Sequence, residues 1–97
     1  MIYRLKYSNR CNREITEQDM DDISTHLGRM WRRLGRKMGY TNGNMDCIDE
    51  DNRHLMDKCY RILSDWRDRE ANAATVSALT KLLMEIDAFD AVRNFNP

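Results

Sequence analysis

The sequence predicts an all-α fold, a six-helix antiparallel bundle, and three observations predict it. Apolar residues recur at helical spacing along most of the chain, most clearly over residues 55–66. There Leu55, Cys59, Ile62, Leu63 and Trp66 return to one side of a 3.6-residue helix. The stretches between such runs have the chemistry of helix ends, with Thr16, Thr41 and Thr75 as caps and Gly28 and Gly39 as stops. The chain has 97 residues, the size of one domain, and its connections are too short for structureless loops, so brief helices must pack antiparallel.

Residues 1–14 alternate loosely, with Tyr3, Leu5 and Tyr7 set against Arg4, Lys6 and Ser8. No second strand is available to pair with them, so they are expected to form an extended arm ahead of a domain spanning residues 15–97. Thr16 caps the first helix, and Glu17 and Asp19 place negative charge in its first turn, where the helix dipole favours it. Met20, Ile23 and Leu27 face inward, while Glu14, Glu17, Asp19, Asp21 and Asp22 make the element acidic. Over residues 29–38 the sign reverses. Trp31, Leu34 and Met38 lie on the inner face, and Arg29, Arg32, Arg33, Arg36 and Lys37 point elsewhere with no acid among them.

The third helix starts after Thr41, turning Met45 and Ile48 inward and Asp46, Asp49, Glu50 and Asp51 outward. Gly43 weakens it by about 1 kcal/mol relative to alanine. Asn52 is the expected cap of the fourth helix, whose apolar spacing breaks at Ala71, Asn72, Ala73 and Ala74. Thr75 caps the fifth, with Val76, Leu79, Leu82, Leu83 and Ile86 on a wide inner face. Asp87 separates it from a last short helix carrying Phe89, Val92 and Phe95 inward.

Composition narrows the function. Sixteen basic and sixteen acidic residues cancel, which argues against a general binder of nucleic acid or anionic membrane. Cys11, Cys47 and Cys59 form no CxxC pair, so neither a disulfide framework nor a zinc site is expected. No apolar run reaches the roughly 18 residues of a membrane span, and the start lacks the apolar block of a secretion signal. Reduced thiols and a cytoplasmic location are expected. His26 and His54 lack the nucleophile turn, orienting group and oxyanion site of a hydrolase. The acidic run 46–51 lacks the central glycine and the twelfth-position glutamate of a calcium loop. No glycine-rich phosphate loop is present, and neither catalysis nor a cofactor is expected.

Several fragments in order carry a family resemblance: Trp31, Arg32, Arg33 and Leu34; then Arg36, Lys37, Met38 and Gly39; then Met45 with Cys47, Ile48 and Asp49; then residues 55–66; then Ala74, Thr75 and Val76 with Leu79. Over residues 15–95 the chain resembles a death domain, the six-helix signalling module. Residues 36–49 and the spacing of Leu55, Lys58, Tyr60, Leu63, Trp66, Arg69 and Glu70 are similar to the death domains of receptor-interacting protein kinases and of the insect immune-deficiency (Imd) adaptor. The Trp-Arg-Arg-Leu pattern is shared with the Fas-associated adaptor (FADD). Gly35 stands where that family commonly has alanine, which implies a looser second helix.

A surface divided into basic and acidic patches suits heterologous assembly, in which each copy offers unlike patches to the next. The resemblance implies the same, since death domains set helices two and three of one copy against helices one and four of another. Carried over, Arg32, Arg33, Arg36 and Lys37, with Arg29 beside them, form the basic side, and Asp19, Asp22, Asp57 and Asp65 the acidic partners. A second contact through the third helix would use Asp46, Asp49, Glu50 and Asp51. The expected function is a non-enzymatic adaptor that recruits other death-domain proteins and its own copies in innate immune (Imd/NF-κB-like) or apoptotic signalling. The alternative is a small helical nucleic-acid-binding domain using the basic helix 29–38, against which the acid on both neighbouring helices argues. A bundle that binds a helix in a groove would need an exposed apolar stripe, and none is expected outside the core.

Overall fold

In the computed structural model, which describes residues 13–95, six α-helices follow one another: α1 Glu17–Leu27, α2 Trp31–Lys37, α3 Asn42–Asp51, α4 Leu55–Glu70, α5 Val76–Glu85 and α6 Phe89–Phe95. Short 3₁₀ turns at Gly28–Met30 and Ala71–Ala73 follow α1 and α4. Except for Arg13 and Glu14, the expected arm lies outside the described residues. So do Cys11 and the Phe95 side chain.

The threonine caps form as expected. Thr16 Oγ1 accepts from the Asp19 N–H at 3.2 Å while Asp19 accepts from the Thr16 N–H at 2.8 Å, a reciprocal capping box. Thr41 and Asn44 repeat the arrangement at α3, and Thr75 Oγ1 accepts from the Ala78 N–H at α5. The start of α4 differs from expectation. Its cap position is His54, which makes no side-chain cap bond. Asn52 instead closes α3, its Nδ2 donating to the Ile48 carbonyl at 2.9 Å. An asparagine between two helices bonds whichever end lies within reach, and here it adds a side-chain bond to the Ile48 carbonyl that its own backbone N–H already meets at 3.1 Å.

The longest helix, α4, is the centre of the packing. It lies against α1, α2, α3 and the Gly28–Met30 turn, while α6 packs on α1 and α5. Cys59, Ile62, Leu63 and Trp66 of α4 are buried with Met20, Ile23, Leu34, Met45, Leu79 and Leu83 in one cluster. Two inward assignments fail: Leu55 is 40% and Phe89 49% exposed. Both open their helices, and within each helix the first buried residue comes later, at Cys59 in α4 and Ala91 in α6.

Gly35 tightens the fold where looseness was expected. It is buried, and a Cβ there would stand 2.7 Å from Sδ of Met45, a fully buried side chain of α3. The missing methyl lets the Met45 thioether pack against the backbone of α2. Ahead of α1, Ile15 donates to the Ala74 carbonyl and Val76 to that of Arg13, so residues 13–15 run antiparallel to the start of α5 as a single bridge.

Candidate interaction surface

The basic element α2 is amphipathic in the required sense: Trp31, Leu34 and Met38 go into the core, and its cations stay at the surface. These cations differ in their engagement. Arg32 donates to Asp46 at 3.1 Å and to Asp49 at 3.3 Å, and its guanidinium lies 5.0 Å from the Trp31 ring centroid. Asp49 also receives Lys58 Nζ at 2.5 Å, so one carboxylate joins α2, α3 and α4. Lys58 first, and Arg32 after it, hold the Asp49 carboxyl below the usual aspartate range. Arg29, Arg33, Arg36 and Lys37 are exposed and form no ion pair among the described residues.

The acidic positions divide in the same way. Asp19, expected to face a partner, is only 6% exposed. It accepts from both terminal guanidinium nitrogens of Arg13, at 2.6 and 3.2 Å, besides capping α1. Burial alone would raise its pKa, but the hydrogen bonds from Arg13 and from the Thr16 backbone lower it below the ordinary value, and Arg13 is raised in return. Asp19 is therefore corrected from a docking residue to a capping one. Asp22 is half-buried and accepts from Gln18 at 3.0 Å, and Asp65 is bridged to Arg61 one turn earlier on α4. Glu50, Asp51 and Asp57 are exposed without an ion pair among the described residues.

Two features had no forecast. Arg69, near the end of α4, donates to the Met38 carbonyl at 2.5 Å and lies 5.3 Å from the Tyr40 ring centroid, while the Tyr40 hydroxyl donates to the Ile62 carbonyl at 3.3 Å. This clasp ties the α2–α3 link to α4, and burial raises the Tyr40 pKa. The only sequence signal was a cation in the last turn of a helix, where many cations merely answer the dipole. The second is an open cleft of about 450 Å³ between α2 and the α5–α6 corner, lined by Arg33, Arg36, Lys37, Glu85, Ile86 and Asp87. Exposed acids beyond the apolar face of α5 had given no reason to pair it with α2.

Other polar groups are dispersed. His26 and His54 are exposed and Cys47 is exposed on α3. The Cys59 thiol lies 3.6 Å from the Gly28 carbonyl oxygen and is pushed up to about 12 by burial, so it is held as the inert thiol. Among the described residues no three His, Cys, Asp or Glu side chains are grouped to hold a metal ion, and no helix is long and apolar enough to cross a membrane.

Comparison with known proteins places these features in a family. The family model "Death domain" matches residues 17–96. The human receptor-interacting serine/threonine-protein kinase 1 is 34% identical over 79 residues, which is 78% of this chain and 12% of that protein. Mouse ankyrin-3 is 30% identical over 80 residues, 81% of this chain and 4% of that protein, and the rat and human ankyrin-3 proteins match at the same identity. The chain thus spans a small part of the length of these relatives.

Proposed function

This chain belongs to the death-domain family, and from that premise we propose that it is a non-enzymatic adaptor domain that recruits other death domains, and copies of itself, into a cytosolic complex. A module of this family works by homotypic protein interaction. The proposed partners are receptor-like or Fas-associated-adaptor-like death domains, and the proposed setting is innate immune or cell-death signalling. The likeness to the receptor-interacting kinase supports that setting.

The observation that carries the reading is the row of cations on and before α2 that form no ion pair among the described residues: Arg29, Arg33, Arg36 and Lys37. Keeping four like charges together gains nothing for the isolated fold, whereas opposite charges on another molecule would steer encounter and fix orientation. Arg32, Asp46 and Asp49 brace this row from within. Asp22 and Asp57 remain the proposed acidic partners, with Asp65 able to exchange Arg61 for an incoming arginine. Glu50 and Asp51 are the proposed second acidic face.

The test is the double variant Arg33→Glu and Arg36→Glu. Both side chains are exposed, so its thermal melt should match the parent. Self-association and capture of a partner death domain should fall by about tenfold or more. Undiminished association at an unchanged melt removes α2 from the mechanism.

A further inference from the structure

Asn42 and Gly43 open α3 as the only Asn-Gly pair in the chain, and both are exposed. Thr41 and Asn44 close a capping box across them. Thr41 Oγ1 accepts from the Asn44 N–H at 3.1 Å, Asn44 Oδ1 accepts from the Thr41 N–H at 3.2 Å, and the Thr41 carbonyl accepts from the Met45 N–H at 3.0 Å. The box serves the amides of Asn44 and Met45. It leaves the Gly43 N–H, one of the orphan donors of the first turn, with no hydrogen bond among the described residues. The Asn42 carboxamide has none either.

These are the parts of an intramolecular reaction, in which neighbouring groups gain an advantage that no chance encounter matches. A carboxamide and an unengaged backbone amide are adjacent in the chain, with water at both. A Cβ at position 43 would meet only Thr41 Oγ1, at 3.8 Å, so the surrounding space is open, and without that Cβ the backbone turns readily. Other asparagines lack one part or another. Asn44 spends its oxygen on Thr41 and precedes Met45, whose N–H is bonded. Asn52 donates to the Ile48 carbonyl and precedes Arg53, and Asn72 precedes Ala73.

We propose that Asn42 with Gly43 is a self-modification site, at which the chain deamidates through a succinimide to aspartate or isoaspartate and so resets the cap of α3. The Gly43 nitrogen gives its proton to a base in the water and bonds to Cγ of Asn42. The bond from Cγ to Nδ2 breaks, and Nδ2 leaves as ammonia with a proton from solvent. Water then opens the ring. Breaking the ring nitrogen's bond to Cγ gives aspartate, and breaking its bond to the α-carbonyl carbon gives isoaspartate, whose peptide link runs through Cβ. Water enters, ammonia leaves, and nothing is oxidised or reduced.

The helix gates the reaction, because a helical backbone does not align the Gly43 nitrogen with Cγ and the first turn must open. Helix ends fray, and glycine makes this end less stable than alanine would. The products then act oppositely on α3. Aspartate adds negative charge in the first turn, where the dipole favours it. Isoaspartate inserts one more backbone atom between Thr41 and Asn44 and pulls the box apart. Either adds a negative charge to a chain that has none net, on the helix already carrying Asp46, Asp49, Glu50 and Asp51.

Parent protein held at mildly alkaline pH and physiological temperature tests this by peptide mass spectrometry, with electron-transfer fragmentation separating the two products. Asn42 should convert about tenfold or more faster than Asn44, Asn52 or Asn72 in the same molecule. Gly43→Ala, a helix-favouring change at an exposed position, should slow conversion about tenfold or more, and Thr41→Ala, which removes the box, should hasten it. If Gly43→Ala fails to fold, Asn42→Gln, which must close a larger ring, replaces it and should be slowed as much. The isoaspartyl form is isolated by ion exchange and recognised by methylation with S-adenosylmethionine and an isoaspartyl carboxyl methyltransferase. Its Asn44 and Met45 amide hydrogens should exchange faster than the parent's, whereas those of Asn42→Asp should not. Conversion no faster at Asn42 than at Asn44, an undiminished rate in Gly43→Ala, an unchanged rate in Thr41→Ala, or parent-like exchange in the isoaspartyl form overturns the proposal.

Discussion

Asp19 performs three tasks with one carboxylate: it completes the capping box, receives both nitrogens of Arg13, and anchors the segment that bridges to α5. Its lowered pKa makes this a pH-dependent contribution. The ionised form is the one stabilised by folding, so the contribution is complete above the unfolded aspartate value of about 3.9 and disappears as pH falls through the lower folded value. Asp19→Asn should therefore cost about 1–2 kcal/mol at neutral pH, through the loss of the charge-assisted bonds from Arg13, since an asparagine here can still complete the box as Asn44 does at α3. The gap between variant and parent should close on acidification below about pH 4. Denaturant midpoints measured across that range check it, and a gap constant with pH would show that the charge is idle. The sequence disclosed the cap, because Thr16 and Asp19 have the box spacing. It did not disclose Arg13, whose pairing depends on where the chain ahead of the helix turns.

At the scale of the element, the corners after α1 and α4 have nearly the same geometry. Gly28 closes α1 at φ 58°, ψ −132°, and Ala71 closes α4 at φ 52°, ψ −123°, each leading into a 3₁₀ turn. Only glycine occupies that region without a clash at Cβ. Ala71→Gly should then stabilise the domain by about 1 kcal/mol, the relief of strain exceeding the extra flexibility of the unfolded chain. Gly28→Ala should destabilise it by a similar or larger amount. For a domain of this size that is roughly a 4–8 °C change in melting temperature in opposite directions. Equal responses would mean that the two corners are not equivalent. Helix type and most inner faces were legible, since apolar period and threonine caps act over one or two turns. The ends were less so. Leu55 and Phe89 keep the period, yet the period says nothing of where the neighbouring helix stops.

At the scale of the whole molecule, the zero formal charge conceals an uneven surface, on which Arg32, Asp46, Asp49 and Lys58 pair within the molecule while Arg29, Arg33, Arg36 and Lys37 form no ion pair among the described residues. Raising salt should dissociate assemblies while leaving the melt of the monomer nearly unchanged. The proposed contacts between copies would be screened over a Debye length of about 8 Å near physiological salt and 3 Å at 1 M, whereas the fold rests on an apolar cluster. Light scattering and thermal melts across a salt series separate the two, and assembly indifferent to salt would shift the emphasis to apolar contacts. The sequence disclosed this segregation by element, basic on α2 and acidic on α1 and α3. It could not tell which charges are spent inside the molecule. Arg32 and Asp46 are fourteen residues apart and Arg32 and Asp49 seventeen, and only the docking of α3 on α2 brings them together.

That shared carboxylate has a consequence for timing. With Asp49 grasping Arg32 from one helix and Lys58 from another, the short α2 is braced before any visitor arrives. Its outward arginines begin from a settled platform, so the proposed capture of a partner would surrender less freedom of motion than from a swaying one.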